Sequence, residues 1–288
     1  MAERMHVVRL TESVATHGEG PAWAPGWAGP RFVDMLRGDV LELRPDGGVD
    51  RRNVDASVAA LVRPRRAGGW VVATRHGLAY ADADDLHAPL RPGPQLWSDE
   101  DVRANEGACA PDGALFLGSM AWDGAARRGS VVRVAPDGGR ATVIEDVTIS
   151  NGLGWTETGE SAFYVDTATG TIDVFDWSPA SGLARRRPWA RVDEGGADGL
   201  AVDTQNGVWV ALFGRGRVHR YDSDGRLDAV IETPVRQPTA LAFVGEERDR
   251  LICTTSRYAL VDPEPDAGAV FEIIGHGARG ARVHAFAG

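Results

Sequence analysis

Cysteine, long hydrophobic runs and net positive charge are all scarce in this sequence, and each scarcity narrows the range of functions. The two cysteines, Cys109 and Cys253, each lie within an apolar, strand-like run. We expect two buried free thiols in a reducing compartment, and a disulfide is the less favoured alternative. No run of about 18 apolar residues offers a membrane span, and MAERMHVVRL lacks the apolar core of a secretory signal. These features predict a soluble, cytoplasmic protein.

The charge balance disfavours polyanionic partners. The 288 residues include 31 basic and 41 acidic side chains, which give a formal net charge of −10. Nucleic acid and anionic membrane surfaces both reward clustered Lys and Arg, so neither is an expected partner. The expectation that remains is a small-molecule partner, and no feature of the sequence assigns an oligomeric state.

A repeat of small or polar residue, apolar run, turn and second apolar run extends along the chain. Its six copies start near Gly18, Ala60, Asn105, Asn151, Asp198 and Pro238. A spacing of roughly 40 to 47 residues is typical of four-stranded propeller blades. The 36 Gly and 16 Pro residues, and hairpin signals such as PDGG, fit short strands joined by tight turns. The repeat predicts an all-β, six-bladed β-propeller with four antiparallel strands per blade, as a single domain over residues 1–288.

Closure of the ring and the shape of the channel mouth can also be predicted. Open blade edges invite aggregation, so the first strand should find a partner. We expect residues 5–10, MHVVRL, to pair with the C-terminal ARVHAF at residues 281–286. The connecting segments 81–98, 122–129 and 256–268 are expected to shape the mouth of the channel.

Polar residues recur where the repeat would line the channel. The first strand of each blade faces the axis, so residues at matched repeat positions should converge there. They are Glu19, Asn105 with Glu106, Asn151 and Asp198. Carboxylates buried in a narrow channel are costly without positive charge, and a hard cation such as Ca²⁺, Mg²⁺ or Mn²⁺, or Zn²⁺, would remove that cost. The alternative is that each residue only bonds to backbone groups at a strand start.

Four segments, in order, resemble those of a known family. They read GEGPAW, RANEGACAPDGALFLGSM, SNGLGWTETGESAFYVDT and ADGLAVDTQNGVWVALFGRGRVHRYDSDG. Over roughly residues 12–271 the chain is similar to the regucalcin, gluconolactonase and luciferin-regenerating-enzyme family, also called senescence marker protein 30. The resemblance implies a six-bladed propeller that holds one divalent metal ion and hydrolyses sugar lactones.

The resemblance also implies roles for individual residues. By motif match, the metal ligands would be Glu19, Asn151 and Asp198, and Asp198 would also act as the general base. Arg103 and Asn105, an Arg-x-Asn pair, would contact the substrate. The implied cofactor is one divalent ion, Ca²⁺, Zn²⁺, Mn²⁺ or Mg²⁺, and the implied partner is a small-molecule lactone.

Two departures from the family pattern concern the substrate. The family's Asn-Asp-Gly reads Asn105-Glu106-Gly107 here, which keeps the charge of a substrate-binding residue and lengthens its arm. Trp122 stands where an acidic residue that binds sugar hydroxyls is often found. An indole there predicts a substrate that is flatter or less hydroxylated than gluconolactone, with Trp122 and Trp23 as candidates for the pocket wall.

The leading functional hypothesis is a divalent-metal-dependent lactone hydrolase that opens a sugar-derived aldonolactone. The metal would polarise the carbonyl, Asp198 would accept a proton from the attacking water, and Arg103 with Asn105 would fix ring oxygens. The alternatives are a metal-dependent esterase or phosphotriesterase for a less polar substrate, and a calcium-binding propeller without turnover. His17, two residues before Glu19, is either a contact of the ligand site or a strand-end residue.

Overall fold

In the computed structural model, which describes residues 5–288, the short apolar runs form six four-stranded antiparallel sheets around a central channel. The predicted all-β, six-bladed propeller is therefore confirmed. Within residues 5–288 the helical structure consists of two 3₁₀ turns, Met35–Arg37 and Thr167–Thr169. No helix in that range is long and apolar enough to cross a membrane.

The strands of each blade are hydrogen-bonded in chain order from the channel outward, after a first strand, β1 (His6–Arg9), that belongs to blade 6. Blade 1 contains β2 (Gly18–Ala22), β3 (Arg31–Asp34), β4 (Asp39–Leu43) and β5 (Val49–Asn53). Blade 2 contains β6 (Ala59–Pro64), β7 (Trp70–Thr74), β8 (Gly77–Ala81) and β9 (Leu90–Gln95). Blade 3 contains β10 (Val102–Cys109), β11 (Leu115–Ala121), β12 (Gly129–Val134) and β13 (Arg140–Val147).

The second half of the ring repeats the same order. Blade 4 contains β14 (Ser150–Trp155), β15 (Ser161–Asp166), β16 (Thr171–Ser178) and β17 (Gly182–Arg191). Blade 5 contains β18 (Ala197–Val202), β19 (Val208–Leu212), β20 (Arg217–Tyr221) and β21 (Leu227–Glu232). Blade 6 contains β22 (Pro238–Val244), β23 (Arg250–Thr255), β24 (Phe271–Ile274) and, at its outer edge, β1. Each repeat copy found in the sequence thus begins at or within an innermost strand.

Tight turns at Asp-Gly pairs end several of the short strands. Gly47 and Gly138 both have positive φ, 81° and 87°, which glycine adopts without strain. The preceding Asp side chain accepts a backbone hydrogen bond at 2.9 Å from the residue after each glycine. These Asx-type bonds fix the chain reversal, so the hairpins lie where the sequence predicts them.

The ring closes differently from the prediction. Strand β1 pairs antiparallel with β24, from His6 opposite Ile274 to Arg9 opposite Phe271. The predicted pairing with residues 281–286 is therefore wrong. Blade 6 has only three strands of its own after β21, so the free edge of β24 takes β1 as its fourth strand and leaves residues 281–286 for another position.

Residues 280–288 instead cross the far side of the ring. Gly280 forms a bridge with Asp203 of blade 5, and Phe286 forms a bridge with Arg65 of blade 2. Between them, the Ala281 N–H donates to the carbonyl oxygen of Val202 at 2.8 Å. We call residues 280–288 the C-terminal strap, because they span the end of the channel where the innermost strands finish.

The core lies between the blades and contains most of the large aromatic side chains. Trp70 and Trp209 are fully buried, and the Trp155 ring lies 5.5 Å from that of Phe116 in the next blade. Trp70, Trp155 and Trp209 therefore belong to the core between blades. Both Cys109 and Cys253 are buried and free, which confirms that expectation for the thiols.

The direction of the strands divides the connecting segments between two ends of the channel. Innermost strands begin at one end, here called the N-terminal end, and finish at the C-terminal end. Segments 122–128 and 256–270 join second strands to third strands, and so lie at the N-terminal end. Residues 82–89 join the third strand of blade 2 to its fourth strand, and lie at the C-terminal end. Most of the segment 81–98 therefore does not shape the mouth beside the candidate site, contrary to the prediction.

Candidate functional site

A β-bulge at the same place in every innermost strand directs the predicted site residues into the channel. The pairing of each innermost strand with its neighbour shifts register once, for example between Glu19 and Ala22 and between Ser150 and Leu153. A bulge bends the strand and turns the side chain of the extra residue. Asn151 and Asp198 lie inside these shifts and Glu19 begins one, so the matched polar residues converge in the channel.

Glycine follows several of these residues because the innermost strands approach one another closely there. A Cβ atom on Gly152 would lie 2.7 Å from the backbone nitrogen of Leu200 and 2.9 Å from the carbonyl oxygen of Asp198. A Cβ on Gly199 would lie 2.5 Å from the Cβ of Ala240. Glycine thus lets the channel narrow around the polar residues.

Three buried carboxyl groups lie in the channel and repel one another. Glu19, Glu106 and Asp198 are each 4–6% exposed. Burial raises the pKa of Glu19, and the charge of Glu106 raises it further. Burial also raises the pKa of Asp198, with contributions from Glu19 and Glu106, and raises the pKa of Glu106 to about 7. Glu106 Oε2 is buried and has no hydrogen-bond partner among the described residues, so burial and repulsion are only partly compensated within the cluster.

Two buried arginines supply part of that charge. Arg63 in β6 donates to the carbonyl oxygens of Gly20 and Gly107 at 2.9 and 2.7 Å, and its charge lowers the pKa of Glu106. Burial lowers the pKa of Arg103 in β10 to about 10, which leaves it charged at neutral pH. Sequence reasoning missed Arg63, although an arginine within the apolar run AALVRP of an innermost strand was a signal.

A chain of hydrogen bonds connects three blades at the N-terminal end. Arg103 Nη1 donates to Asn105 Oδ1 at 2.6 Å, and Asn105 Nδ2 donates to Asn151 Oδ1 at 2.9 Å. Asn151 Nδ2 donates to Thr167 Oγ1 at 2.6 Å, and that hydroxyl donates to the carbonyl oxygen of Ala197 at 2.7 Å. The chain orients Asn151 so that Oδ1 faces Asn105. Both N–H groups of the Asn105 side-chain amide are in use, because Nδ2 also donates to the carbonyl oxygen of Ser150.

Trp122 covers Arg103 at the rim of the channel. The Trp122 side chain is 43% exposed, and the Arg103 guanidinium carbon lies 5.3 Å from its ring centroid. Arg103 Nη1 also contacts Met35 Sδ at 3.2 Å, a neighbour that the sequence did not indicate. Trp23 follows the C-terminal end of β2 and lines a cavity beside Phe243 and the strap. The structure therefore brings Trp122 to the site and places Trp23 at the opposite end.

The arrangement provides oxygen donors for a cation. Glu19 and Asp198 offer carboxylates, and Asn151 Oδ1 keeps a lone pair beyond the bond from Asn105. Within residues 5–288 no three His, Cys, Asp or Glu side chains form a candidate metal cluster. The predicted ligand set contains only two residues of those types, because its third member is an asparagine.

Comparison with known proteins identifies the family. Residues 17–257 match the SMP-30/Gluconolactonase/LRE-like region. This match covers most of the chain, and the protein belongs to that family of six-bladed propellers.

Individual relatives are similar along almost their whole length. Regucalcin of Danio rerio is 29% identical over 286 residues, covering 94% of this chain and 95% of the relative. A putative sugar lactone lactonase of Rhizobium meliloti (strain 1021) is 29% identical over 278 residues, covering 92% of each. The crystal structure of a calcium-binding protein, regucalcin, from Agrobacterium tumefaciens superposes with a TM-score of 0.89 at 27% identity, covering 96% of each chain.

Proposed function

We propose that the protein is a divalent-metal-dependent lactone hydrolase that opens a sugar-derived aldonolactone. The observation that carries the proposal is the group of three buried carboxyl groups, Glu19, Glu106 and Asp198, whose pKa values are raised by burial and, for Glu19 and Asp198, by mutual repulsion. Burying such a group is favourable when a cation shares the site. A relative named as a putative sugar lactone lactonase supports the class of reaction.

The metal would be held by Glu19, Asn151 and Asp198. Their oxygen donors fit a hard cation, and Ca²⁺, Mg²⁺, Mn²⁺ and Zn²⁺ are the candidates. The name of the solved relative, a calcium-binding protein, favours Ca²⁺ among them. When bound, a divalent ion supplies Lewis-acid polarisation of a carbonyl oxygen and lowers the pKa of a water molecule.

The remaining chemistry belongs to side chains of the chain. Asp198 accepts the proton of the attacking water as the general base. The Arg103 guanidinium faces the same carboxylates and donates to oxygens of the lactone. Asn105 has both donors in use, so we assign it the positioning of Arg103 and Asn151 in addition to its predicted substrate contact. Glu106 provides an acceptor for a substrate hydroxyl through Oε2, which has no hydrogen-bond partner within residues 5–288.

Trp122 favours a second candidate, an esterase or phosphotriesterase for a less polar substrate at the same site. Its half-exposed indole offers an apolar surface at the rim, and the indole ring itself accepts no hydrogen bond from a sugar hydroxyl. A calcium-binding propeller without turnover is the third candidate, which the name of the solved relative supports.

One panel of substrates separates these candidates. Protein loaded with Ca²⁺, Mg²⁺, Mn²⁺ or Zn²⁺ is given γ- and δ-aldonolactones, alkyl lactones, aryl esters and organophosphates, and acid release is followed with a pH indicator. We expect the largest kcat/KM with an aldonolactone. A preference for aryl esters or organophosphates would replace the lactonase assignment, and metal binding without turnover of any class would favour the calcium-binding propeller.

A further inference from the structure

The imidazole of His17 is held rigidly at the N-terminal end of the channel. Its backbone N–H donates to Asp34 Oδ1 at 3.0 Å, and its carbonyl oxygen accepts from the Met35 N–H at 2.9 Å. The residue is 8% exposed, and its ring lies 6.2 Å from that of Phe213 and 5.8 Å from that of Tyr258. A ring enclosed in this way keeps its two nitrogen atoms in fixed directions.

Ser256 is the hydrogen-bond partner of the Nδ1 atom of His17. Ser256 Oγ lies 2.8 Å from His17 Nδ1 and accepts from the Tyr258 N–H at 3.0 Å. Its other acceptor, the carbonyl oxygen of Thr16, is 3.4 Å away. We assign the hydroxyl proton to the nearer acceptor, Nδ1, and the ring proton to Nε2, because Nε2 faces the Glu19 carboxylate and the other tautomer would set two lone pairs against each other.

The Nε2 atom faces Glu19 across a gap. It lies 3.9 Å from Glu19 Oε1, which is beyond hydrogen-bond distance. Since Nε2 makes no hydrogen bond to Glu19, its N–H can donate to an acceptor oxygen that enters the channel beside the carboxylate. Glu19 is a proposed metal ligand, so the gap adjoins the region where the proposed substrate would bind.

We propose that His17 is a further substrate-binding residue whose Nε2–H donates to an oxygen of a bound sugar lactone, and that Ser256 is its positioning residue. This inference rests on the proposed function, because that function identifies the ligand class. A contact made equally to the bound lactone and to its transition state lowers KM and leaves kcat nearly unchanged.

The test uses D-glucono-δ-lactam, a ring amide that copies the lactone and resists hydrolysis, titrated by calorimetry into the full-length Ca²⁺-loaded protein. We expect His17→Leu to weaken lactam binding about fivefold to tenfold, the effect of one lost hydrogen bond. His17→Gln, whose amide N–H can reach the position of Nε2, should restore most of the affinity. Ser256→Ala should give an intermediate loss. His276→Leu, at a half-buried histidine elsewhere in blade 6, is the matched control and should bind as the wild type does.

Metal affinity is measured on the same variants to distinguish substrate contact from support of Glu19. Unchanged Ca²⁺ affinity together with weaker lactam binding supports the assignment. Weaker Ca²⁺ binding by His17→Leu, unchanged lactam affinity, or no lactam binding by the wild-type protein would each overturn it. Lactone hydrolysis is assayed separately, so a protein that binds the lactam but opens no lactone would refute the proposed activity and leave His17 to be judged by binding alone.

Discussion

The ionisable side chains that line the channel include more acidic than basic groups. Three carboxyl groups, from Glu19, Glu106 and Asp198, face two guanidinium groups, from Arg63 and Arg103. In the part of the chain that the structure describes, one carboxylate oxygen of Glu106 has no hydrogen-bond partner. Ionising all three in the metal-free protein is unfavourable, because burial and repulsion both favour the neutral form. A bound cation would remove that cost, so the site links metal binding to stability and to pH.

Replacing Glu106 by its neutral isostere should stabilise the metal-free protein at alkaline pH. The pKa of Glu106 is raised from 4.5 to about 7, so the folded protein holds this proton more tightly than the unfolded chain. The resulting destabilisation begins near pH 4.5, grows up to about pH 7 and is constant above it. We expect Glu106→Gln to raise the melting temperature at pH 8 and to change it little at pH 4.5. A lower melting temperature at pH 8 would show that the ionised carboxylate contributes favourably through Arg63.

Removing the carboxylate of Asp198 should abolish most turnover. A general base contributes about 10²- to 10⁴-fold, so Asp198→Asn is expected to lower kcat by at least that factor under saturating metal. Circular dichroism of the variant checks that the ring remains intact. Asp203→Asn is not a suitable control, because the Asp203 carboxylate accepts hydrogen bonds from Arg220 and Trp209. Asp137→Asn, at an exposed turn, is the control and is expected to retain the wild-type kcat. Undiminished kcat in a folded Asp198→Asn variant would refute its assignment as base.

The sequence predicted the polar residues of the site through their repeat positions, but not the neighbours that determine their charge. Glu19, Asn151 and Asp198 occupy equivalent places in their blades, and the bulges bring them to one level of the channel. Met35 lies in a 3₁₀ turn and reaches Arg103 only through folding. Contacts of this kind depend on how blades pack, which no repeat position encodes.

Among the structural elements, the C-terminal strap differs most from the prediction. Residues 5–10 and 281–286 both contain apolar residues, and alternation alone does not distinguish a fourth blade strand from a segment that crosses the channel. The free edge of β24 decides the matter, because its backbone groups pair with β1 over four residues. The strap then lies against blades 2, 3 and 5, and Phe286 packs in the core cluster formed by blades 1 to 3.

Removing the buried phenyl ring of Phe286, which holds the C-terminal strap in the core, should destabilise the whole ring. Phe286 is 1% exposed and stacks on Tyr80 with 6.1 Å between ring centroids. Replacing a buried Phe by Ala costs about 3–5 kcal/mol, so Phe286→Ala should lower the free energy of unfolding by about that amount in urea titrations. Val283→Ala is the control within the same segment, because Val283 is 50% exposed and should have little effect. Equal stability of Phe286→Ala and wild type would mean that the strap does not close the C-terminal end.

For the whole molecule, the ring separates a polar N-terminal end from an end closed by the strap. The blade count, the order of strands and the position of the innermost strands follow from the repeat, since its period matches one four-stranded sheet. The division of connecting segments between the two ends depends on strand direction, which is why residues 82–89 lie away from the mouth predicted for them. A ligand would therefore reach the carboxyl cluster from the N-terminal end.

Metal binding should stabilise the folded ring as a unit. A ligand at 100 times its dissociation constant adds about 2.7 kcal/mol, which for a chain of this size raises the melting temperature by several degrees. We expect at least one of Ca²⁺, Mg²⁺, Mn²⁺ and Zn²⁺ to produce this shift in metal-stripped protein. Glu19→Gln should reduce it strongly, because one proposed carboxylate ligand is lost. An equal shift in Glu19→Gln would exclude that residue as a ligand.

The central claim is that a divalent ion in this channel makes the protein a sugar lactonase. Its most direct test is the hydrolysis of γ- and δ-aldonolactones by metal-stripped protein, measured before and after each metal is restored. We predict background rates without metal and turnover of at least one aldonolactone when Ca²⁺, Mg²⁺, Mn²⁺ or Zn²⁺ is returned. Background rates for every aldonolactone with metal demonstrably bound, or equal turnover with and without metal, would contradict the claim.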